Sequence, residues 1–585
     1  MDVGIVGCGT MGSGISETAA RGGHRVVFVE IDDARRDAGM ARIEKWLGRA
    51  GAGGRITPEE RAEIRSRISG STRLGDLAGC EVVIETIPEQ LEPKRALFAA
   101  LDDIAPPGAI LATNTSSLPV IELAVATRRP EHVVGIHFFN PAPVMELVEL
   151  VTTITTDPGV AAAARGFAEG LGKTVVPCRD RAGFVVNLLL FPYLNEAVNL
   201  LESGFASRED IDDAMRLGAG HPMGPLQLLD LIGLDSCADI LESLHRQFAT
   251  TRYAPSPAFR HLVTAGYLGR KSGRGFYTYA APESSKAVTD GRSGGGGPLP
   301  EPSRTVTSVG VAGTGTMGAG IAEVAARSGL DVVCWGRSDA STARAGQAVE
   351  RSVAKAVERG KLTAGDGDAL LGRITWTQDL DAVAATDLVV ESVTEDLGTK
   401  TALFAELDRL APAETILSTG TSSLPVVAMA AATGRPDRVL GVHFFNPAAV
   451  MRLVEVVRTV ATDPEVVADA VAAVRAMGKH PVLCGDRAGF IVNRLLFPFV
   501  NDAAHMLDEG YASAEDIDAA MQLGCHHPVG PLALIDLVGL DVTYEILRSL
   551  HAEFREPGYT PTPLLEHMVR AGYLGRKTKR GFYTY

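Results

Sequence analysis

Ser116, His137, Glu149 and Asn187 are the polar residues whose types and positions could do chemistry in this chain. Ser116 lies in Asn114-Thr115-Ser116-Ser117, just past an apolar strand pattern. His137 opens His137-Phe138-Phe139-Asn140-Pro141 at the end of the next one. Glu149 follows 12 residues later on the apolar run 147–151, and Asn187 interrupts the apolar start of a helical pattern. An imidazole titrates near neutral pH, so His137 is suited to moving a proton. Each residue also has a bland reading. His137 could be a core histidine, Glu149 a strand charge facing solvent, Ser116 a helix N-cap and Asn187 a structural hydrogen bonder. The bland readings weaken because the same types recur as Ser422, His443, Glu455 and Asn493.

A second signature lies at the start of the chain. Gly7, Gly9 and Gly12 have the spacing of a dinucleotide-binding turn, with Thr10 and Met11 between them. Gly7 would allow a tight turn, Gly9 a close approach of backbone N–H groups to a pyrophosphate, and Gly12 close packing of helix on strand. The context fits: an apolar strand precedes the turn, an Ala-rich helix follows, and a second strand, 25–29, ends at Glu30. A carboxylate there accepts from a ribose 2′-OH and repels a 2′-phosphate, which favours NAD over NADP.

These residues need a scaffold that brings strand ends together. Up to about residue 150, β-branched strand patterns (82–84, 109–111, 133–136) alternate with helical ones, which predicts a parallel sheet covered by helices on both faces. Ligands bind such sheets at the carboxyl ends of the strands. From about Ala182 onward the spacing is helical, notably over 184–201 and 211–217, which predicts an all-helical second domain.

The whole arrangement occurs twice. Gly313, Gly315, Thr316, Met317 and Gly318 repeat the glycine turn at an offset of 306 residues, and the same offset relates His137 to His443 and Asn187 to Asn493. The expected domains are a nucleotide-binding domain at 1–181, a helical domain at 182–279, a linker at 280–305, a second nucleotide-binding domain at 306–487 and a second helical domain at 488–585. The linker, rich in Ser, Pro and Gly, reads as a flexible tether spanning on the order of 30 Å.

Composition narrows the function classes. Of 585 residues, 46% are hydrophobic and 22% charged, an ordinary globular balance, and the formal net charge is −15. Such a chain is not expected to seek nucleic acid or anionic membranes. Seven scattered cysteines without a C-x-x-C pair predict reduced thiols in the cytoplasm and no metal site. The first strand begins almost at Met1, so no signal peptide is expected, and no apolar run is long enough to span a bilayer.

The motifs Thr115-Ser116-Ser117-Leu118, His137 to Pro141, Leu147-Val148-Glu149, Gly183 to Asn187 and the closing Gly269-Arg270-Lys271 with Gly275-Phe276-Tyr277, all echoed in the second copy, resemble the L-3-hydroxyacyl-CoA dehydrogenases, especially the short bacterial 3-hydroxybutyryl-CoA type. The resemblance covers nearly all of both copies. It implies that His137 and His443 act as general bases, oriented by Glu149 and Glu455. Ser116, Asn187, Ser422 and Asn493 would hold the reacting oxygens, and Asn140 and Asn446 would touch the acyl thioester. Glu89, Lys94 and Asn114, with Glu395 and Lys400, join the implied cofactor set. The implied reaction interconverts (S)-3-hydroxyacyl-CoA and 3-oxoacyl-CoA with a nicotinamide cofactor. The helical domains of this family pair into dimers, so two tethered copies would pair within one chain, with further homodimerisation open. A free hydroxy acid, a carrier-protein acyl group, or one copy serving only as a dimerisation scaffold stand as alternatives.

The copies depart from the pattern in different places. In the second copy the ribose acid is replaced by Gly336, followed by Arg337 and Ser338, which reads as a pocket for a 2′-phosphate or as drift to a solvated loop. The second copy thus predicts NADP or NAD, and Gly420 stands in place of Asn114. Family members carry a CoA-contacting serine and lysine on the helix after the second strand. The second copy keeps Ser352, with Arg359 and Lys361 nearby, whereas the first has Trp46 and Gly53. Gly48, Gly51 and Gly54 predict a shorter or looser arm there, with Lys45, Arg49 or Arg55 as substitute cations.

Overall fold

The computed structural model describes residues 1–291 and 299–585. Strands β1 (Asp2–Val6), β2 (Arg25–Val29), β3 (Ile68–Ser71), β4 (Val82–Glu85), β5 (Ile110–Thr113), β6 (Val133–Phe138), β7 (Leu147–Thr152) and β8 (Thr174–Arg179) form one eight-stranded sheet in the order β3-β2-β1-β4-β5-β6-β7-β8. The strand order reverses at β1/β4, so the crevice there opens above the glycine turn. The second copy builds the same sheet, beginning with Ser308–Ala312. Each sheet is followed by helices, giving an α/β Rossmann-type dinucleotide-binding domain and an all-α C-terminal domain, the pair repeated.

The sheet is not wholly parallel as the strand–helix alternation predicts. β7 runs antiparallel to β6, and β8 runs parallel to β7. The connection between β6 and β7 is a short loop, and a short loop returns the chain antiparallel where a parallel return needs a longer crossover. The reversal matters for the site, because it sets His137 directly opposite Glu149 in the ladder. His443 and Glu455 are paired in the same way.

The expected shorter arm is also overturned. Helix Asp33–Ala52 has 20 residues, as many as its counterpart Asp339–Glu358, and it contains Gly48 and Gly51. Asp32 caps it by accepting from the Arg35 N–H, and Ile43, Leu47 and Ala50 anchor its apolar stripe. Tertiary packing outweighs a local propensity cost of about 1 kcal/mol per glycine.

The tether is held at both described ends. Ala287–Val288 pairs antiparallel with Thr278–Tyr279, and the Asp290 carboxylate accepts from Arg208 Nη2 at 2.5 Å and from Thr278 Oγ1 at 2.7 Å. On the far side, Ser303 N donates to Asp469 Oδ1 at 2.7 Å. The glycines Gly294 to Gly297 lie outside the described residues.

The helix Val186–Glu202 is buried on nearly all sides, including Leu189, Phe191, Leu194 and Val198. A helix apolar all round belongs at the centre of a molecule. It packs against Val492–Asp508, its equivalent, where the Tyr193 and Phe499 rings lie 6.0 Å apart. Nearby, His221 and His527 stack at 4.0 Å. Arg494 pairs with Glu196 at 2.7 Å, and Arg252 with Asp502. Among the described residues no helix is long and apolar enough to cross a membrane.

Candidate active site

The glycine turn has the geometry that a pyrophosphate requires. Gly7 sits at φ +89°, open to glycine but strained for other residues. A Cβ on Gly12 would fall 1.9 Å from the Gly7 carbonyl oxygen, so the helix Thr10–Arg21 lies too close to the turn for any side chain there. Gly9 has nothing within 4 Å of its would-be Cβ, leaving its face of the turn open beside exposed Thr10 and half-buried Met11. Gly313, at φ +138°, Gly315 and Gly318 reproduce all three properties, with Thr316 and Met317 placed like Thr10 and Met11. These cradles fit a dinucleotide.

Glu30 follows β2 and points back at the turn, where its Oε1 accepts from the Cys8 N–H at 2.5 Å. Arg42, from the helix that follows, donates to the Cys8 carbonyl at 2.7 Å and braces the same loop. The second copy has Thr314, Ala348 and Gly336 at the equivalent positions, so this bracing is lost. Gly336 is buried there. A Cβ on it would meet Ser341 Oγ, Thr342 Cγ2 and Thr314 Cγ2 at 2.7 to 2.8 Å. Neighbouring side chains have taken the space of the carboxylate. Arg337 is exposed beside Ser338, the cap of helix Asp339–Glu358.

At the other side of the crevice stands a histidine–carboxylate pair. His137 Nδ1 lies 2.7 Å from Glu149 Oε2. His137 is 6% exposed and Glu149 fully buried, so the carboxylate does not face solvent. The other carboxylate oxygen accepts the N–H groups of Val185 and Val186 at 2.9 and 2.8 Å. Glu149 therefore caps the first helix of the helical domain and orients the imidazole at once. A carboxylate acceptor at Nδ1 suits the tautomer of a neutral imidazole that has its proton on Nδ1 and its lone pair on Nε2. Phe139 and Phe184 flank the ring at centroid distances of 4.6 and 5.6 Å. His443 and Glu455 repeat this at 2.7 Å, with Ile491 and Val492 capped.

The loop bearing Ser116 is fastened from below. Glu89 Oε1 accepts from Thr115 Oγ1 at 2.5 Å and from Ser116 N at 2.9 Å. Burial works to raise the Glu89 carboxyl, but the Lys94 cation and these hydrogen bonds hold it below the ordinary range. Lys94 itself is buried, 2.6 Å from Glu85. Glu395 and Lys400 do the same in the second copy, with Glu391 as the buried partner. Glu85 and Glu391 lie outside the motifs that single out the other site residues. Their signal is a carboxylate ending an apolar strand nine residues before a lysine. Lys94 and Lys400 thus support the loop from inside, and Glu89 and Glu395 link them to it.

Asn187 Nδ2 lies 3.4 Å from the Ser116 carbonyl, joining the two domains next to His137. Asn493 and Ser422 stand in the same relation at 3.5 Å. Asn114 Oδ1 accepts from the Phe138 N–H at 2.8 Å, which ties its loop to the end of β6. Gly420 has no side chain to do this. Asn140 and Asn446 are exposed. Beneath that loop, Lys173 donates to the carbonyls of Ala142 and Met145 at 2.7 and 2.8 Å. Ser352 is hydrogen-bonded to Glu323, whose carboxyl burial pushes up. Among the described residues no group of three or more His, Cys, Asp or Glu could hold a metal ion.

Similarity to known proteins places the chain in a family. The family model described as 3-hydroxyacyl-CoA dehydrogenase, NAD binding domain, matches residues 2–181 and 308–487. The model for the C-terminal domain of the same family matches 183–279 and 489–585. A 3-hydroxybutyryl-CoA dehydrogenase of Mycobacterium tuberculosis is 48% identical over 279 residues, 47% of this chain and 98% of that protein. A 3-hydroxyadipyl-CoA dehydrogenase of Escherichia coli K12 is 30% identical over 574 residues, 98% of each chain. A crystal structure of 3-hydroxybutyryl-CoA dehydrogenase from Escherichia coli K12 superposes with a TM-score of 0.71 at 28% identity, covering 98% of this chain and 99% of that one. With both domain models matched twice, the chain belongs to the 3-hydroxyacyl-CoA dehydrogenase family, in tandem duplicate.

Proposed function

We propose that this protein interconverts (S)-3-hydroxyacyl-CoA and 3-oxoacyl-CoA of short chain length, with His137 and His443 as general bases. The observation that carries this reading is the buried His137–Glu149 pair, bonded at 2.7 Å and seated at the junction of the two domains. A nicotinamide cofactor held by the glycine turn would supply hydride chemistry at carbon 3 of the substrate. Nε2 of His137 removes the hydroxyl proton, and Glu149 stabilises the imidazolium that results. Such a base contributes about 10²- to 10⁴-fold. Ser116 and Asn187 hold the substrate oxygens, and Asn140 meets the thioester at the mouth. Gly7 to Gly12 with Glu30 hold NAD in the first copy. Arg337 and Ser338, next to a position that has lost its acid, suit NADP in the second. The cross-contacts Arg494–Glu196 and Arg252–Asp502 support pairing of the two copies within one chain, with homodimers of that unit as a further level. Seven free cysteines accord with a reducing compartment such as the cytoplasm.

The test is turnover of acetoacetyl-CoA with NADH and with NADPH by wild type, His137→Ala and His443→Ala. The expected result is loss of NADH turnover with the first variant and of NADPH turnover with the second. A wild type inactive on acetoacetyl-CoA overturns the short-chain assignment. A relative that aligns over 98% of this chain is named for 3-hydroxyadipyl-CoA, so that thioester belongs in the same assay. If His443→Ala changes nothing with either cofactor, the second copy is a scaffold.

A further inference from the structure

We propose that each histidine–carboxylate pair is held in register by the other copy, through a glycine at the end of a helix that crosses the seam. The proposal rests on the dyad assignment above. Gly524 lies near the end of helix Ala514–Cys525 in the second copy. A Cβ there would stand 2.9 Å from Leu147 Cδ2 and 3.1 Å from Val186 Cγ2, both in the first copy. Those two residues flank Glu149. Leu147 precedes it by two on β7, and Val186 provides one of the N–H groups that its Oε1 accepts. The helix from the second copy therefore touches both elements that fix the carboxylate, at a distance where an added Cβ would push the Leu147 and Val186 side chains aside.

The reciprocal contact exists. Gly218 ends helix Arg208–Gly218 in the first copy, and its would-be Cβ meets Leu453 Cδ2 at 2.7 Å and Val492 Cγ2 at 2.9 Å, the residues that flank Glu455. Hydrogen bonds across the seam keep these helices in place. Tyr511 Oη donates to the Arg179 carbonyl on β8, beside β7, at 2.8 Å. Gly485 N donates to the Phe205 carbonyl at 3.1 Å. A close-packed interior transmits small displacements instead of absorbing them, so the helix position sets the strand position. Gly524 is thus a positioning residue for His137 and Glu149, and Gly218 for His443 and Glu455.

The test uses the full-length chain. Downfield proton NMR detects the Nδ1–H of each histidine, assigned by its loss in His137→Ala and His443→Ala. Gly524→Ala is expected to shift or broaden the His137 signal and leave that of His443 in place, and Gly218→Ala to do the reverse. This readout does not depend on the substrate, so it stands apart from the proposed reaction. In turnover, Gly524→Val in a His443→Ala background should lower kcat by up to about 10²-fold, as an ångström-scale misplacement does, with KM for the nucleotide little changed. The same change in a His137→Ala background should leave the remaining turnover within about twofold. Leu147→Ala added to Gly524→Ala should restore part of the signal position by making room. Melting curves check that the variants are folded. The proposal is overturned if each glycine variant moves both histidine signals equally, or moves neither.

Discussion

Glu149 makes three bonds at one carboxylate: one to His137 Nδ1 and two to the backbone of Val185 and Val186. Replacing it with glutamine keeps the shape but removes the charge, and with the amide oxygen on the backbone N–H groups its NH₂ donates to Nδ1 and favours the tautomer protonated on Nε2. Glu149→Gln is expected to lower kcat of the first copy by about 10²- to 10⁴-fold with melting nearly unchanged, because helix capping survives in part while imidazolium stabilisation does not. Single-turnover hydride transfer at saturating substrate measures it. A tenfold loss or less would mean that the pair is structural. The residue types at this site were legible beforehand, since an imidazole and a carboxylate recur at equal offset in both copies. Their bonding was not, because twelve intervening residues say nothing about register.

Elements made up that difference. The reversal of β7 places residues 137 and 149 opposite each other, where cross-strand side chains meet. The helix Asp33–Ala52 shows local propensity yielding to packing. Gly48 has its nearest neighbour, Arg61 Nη2, at 3.8 Å from a would-be Cβ, so alanine fits. Gly48→Ala should stabilise that helix by up to about 1 kcal/mol without touching the dyad. Slower amide hydrogen exchange over residues 45–52, by up to about fivefold, is the corresponding measurement. No slowing would show that the helix end is limited by docking against its neighbours and not by its own backbone entropy.

At the scale of the whole molecule, the seam between the copies carries a pH-sensitive feature. His221 and His527 stack in a buried site, with Tyr193 Oη 3.2 Å from His221 Nδ1. Burial pushes His221 down to about 4, and burial with the His221 neighbour lowers His527 well below the ordinary histidine range. Below about pH 6.5 the unfolded chain takes up protons that the folded pair refuses, so this stabilisation fades as pH falls towards 4. Three buried carboxyls act in the opposite sense. Burial raises Asp212 to about 7 and Asp230 and Asp502 to about 6, and their folded forms hold protons that the unfolded chain releases. The histidine effect is therefore read as a difference. Going from pH 7 to 5, His527→Phe is expected to lose less melting temperature than wild type, and an equal loss in both would place the acid sensitivity elsewhere.

The sequence by itself determined the glycine turns, the duplication at an offset of 306 and the residue types of the two sites, because each depends on local spacing or on repetition along the chain. Only the tertiary structure decided what lies across a distance. Antiparallel register made a pair of His137 and Glu149, and Thr342 and Ser341 filled the space at Gly336. The folded ends of the linker found carboxylate and guanidinium partners far along the chain. Most of all, the approach of Gly524 to Leu147 and Val186 joins residues more than 300 positions apart. Close packing depends on the absence of a side chain there, and a lone glycine in a helical pattern looks the same in sequence whether it faces solvent or a neighbouring strand.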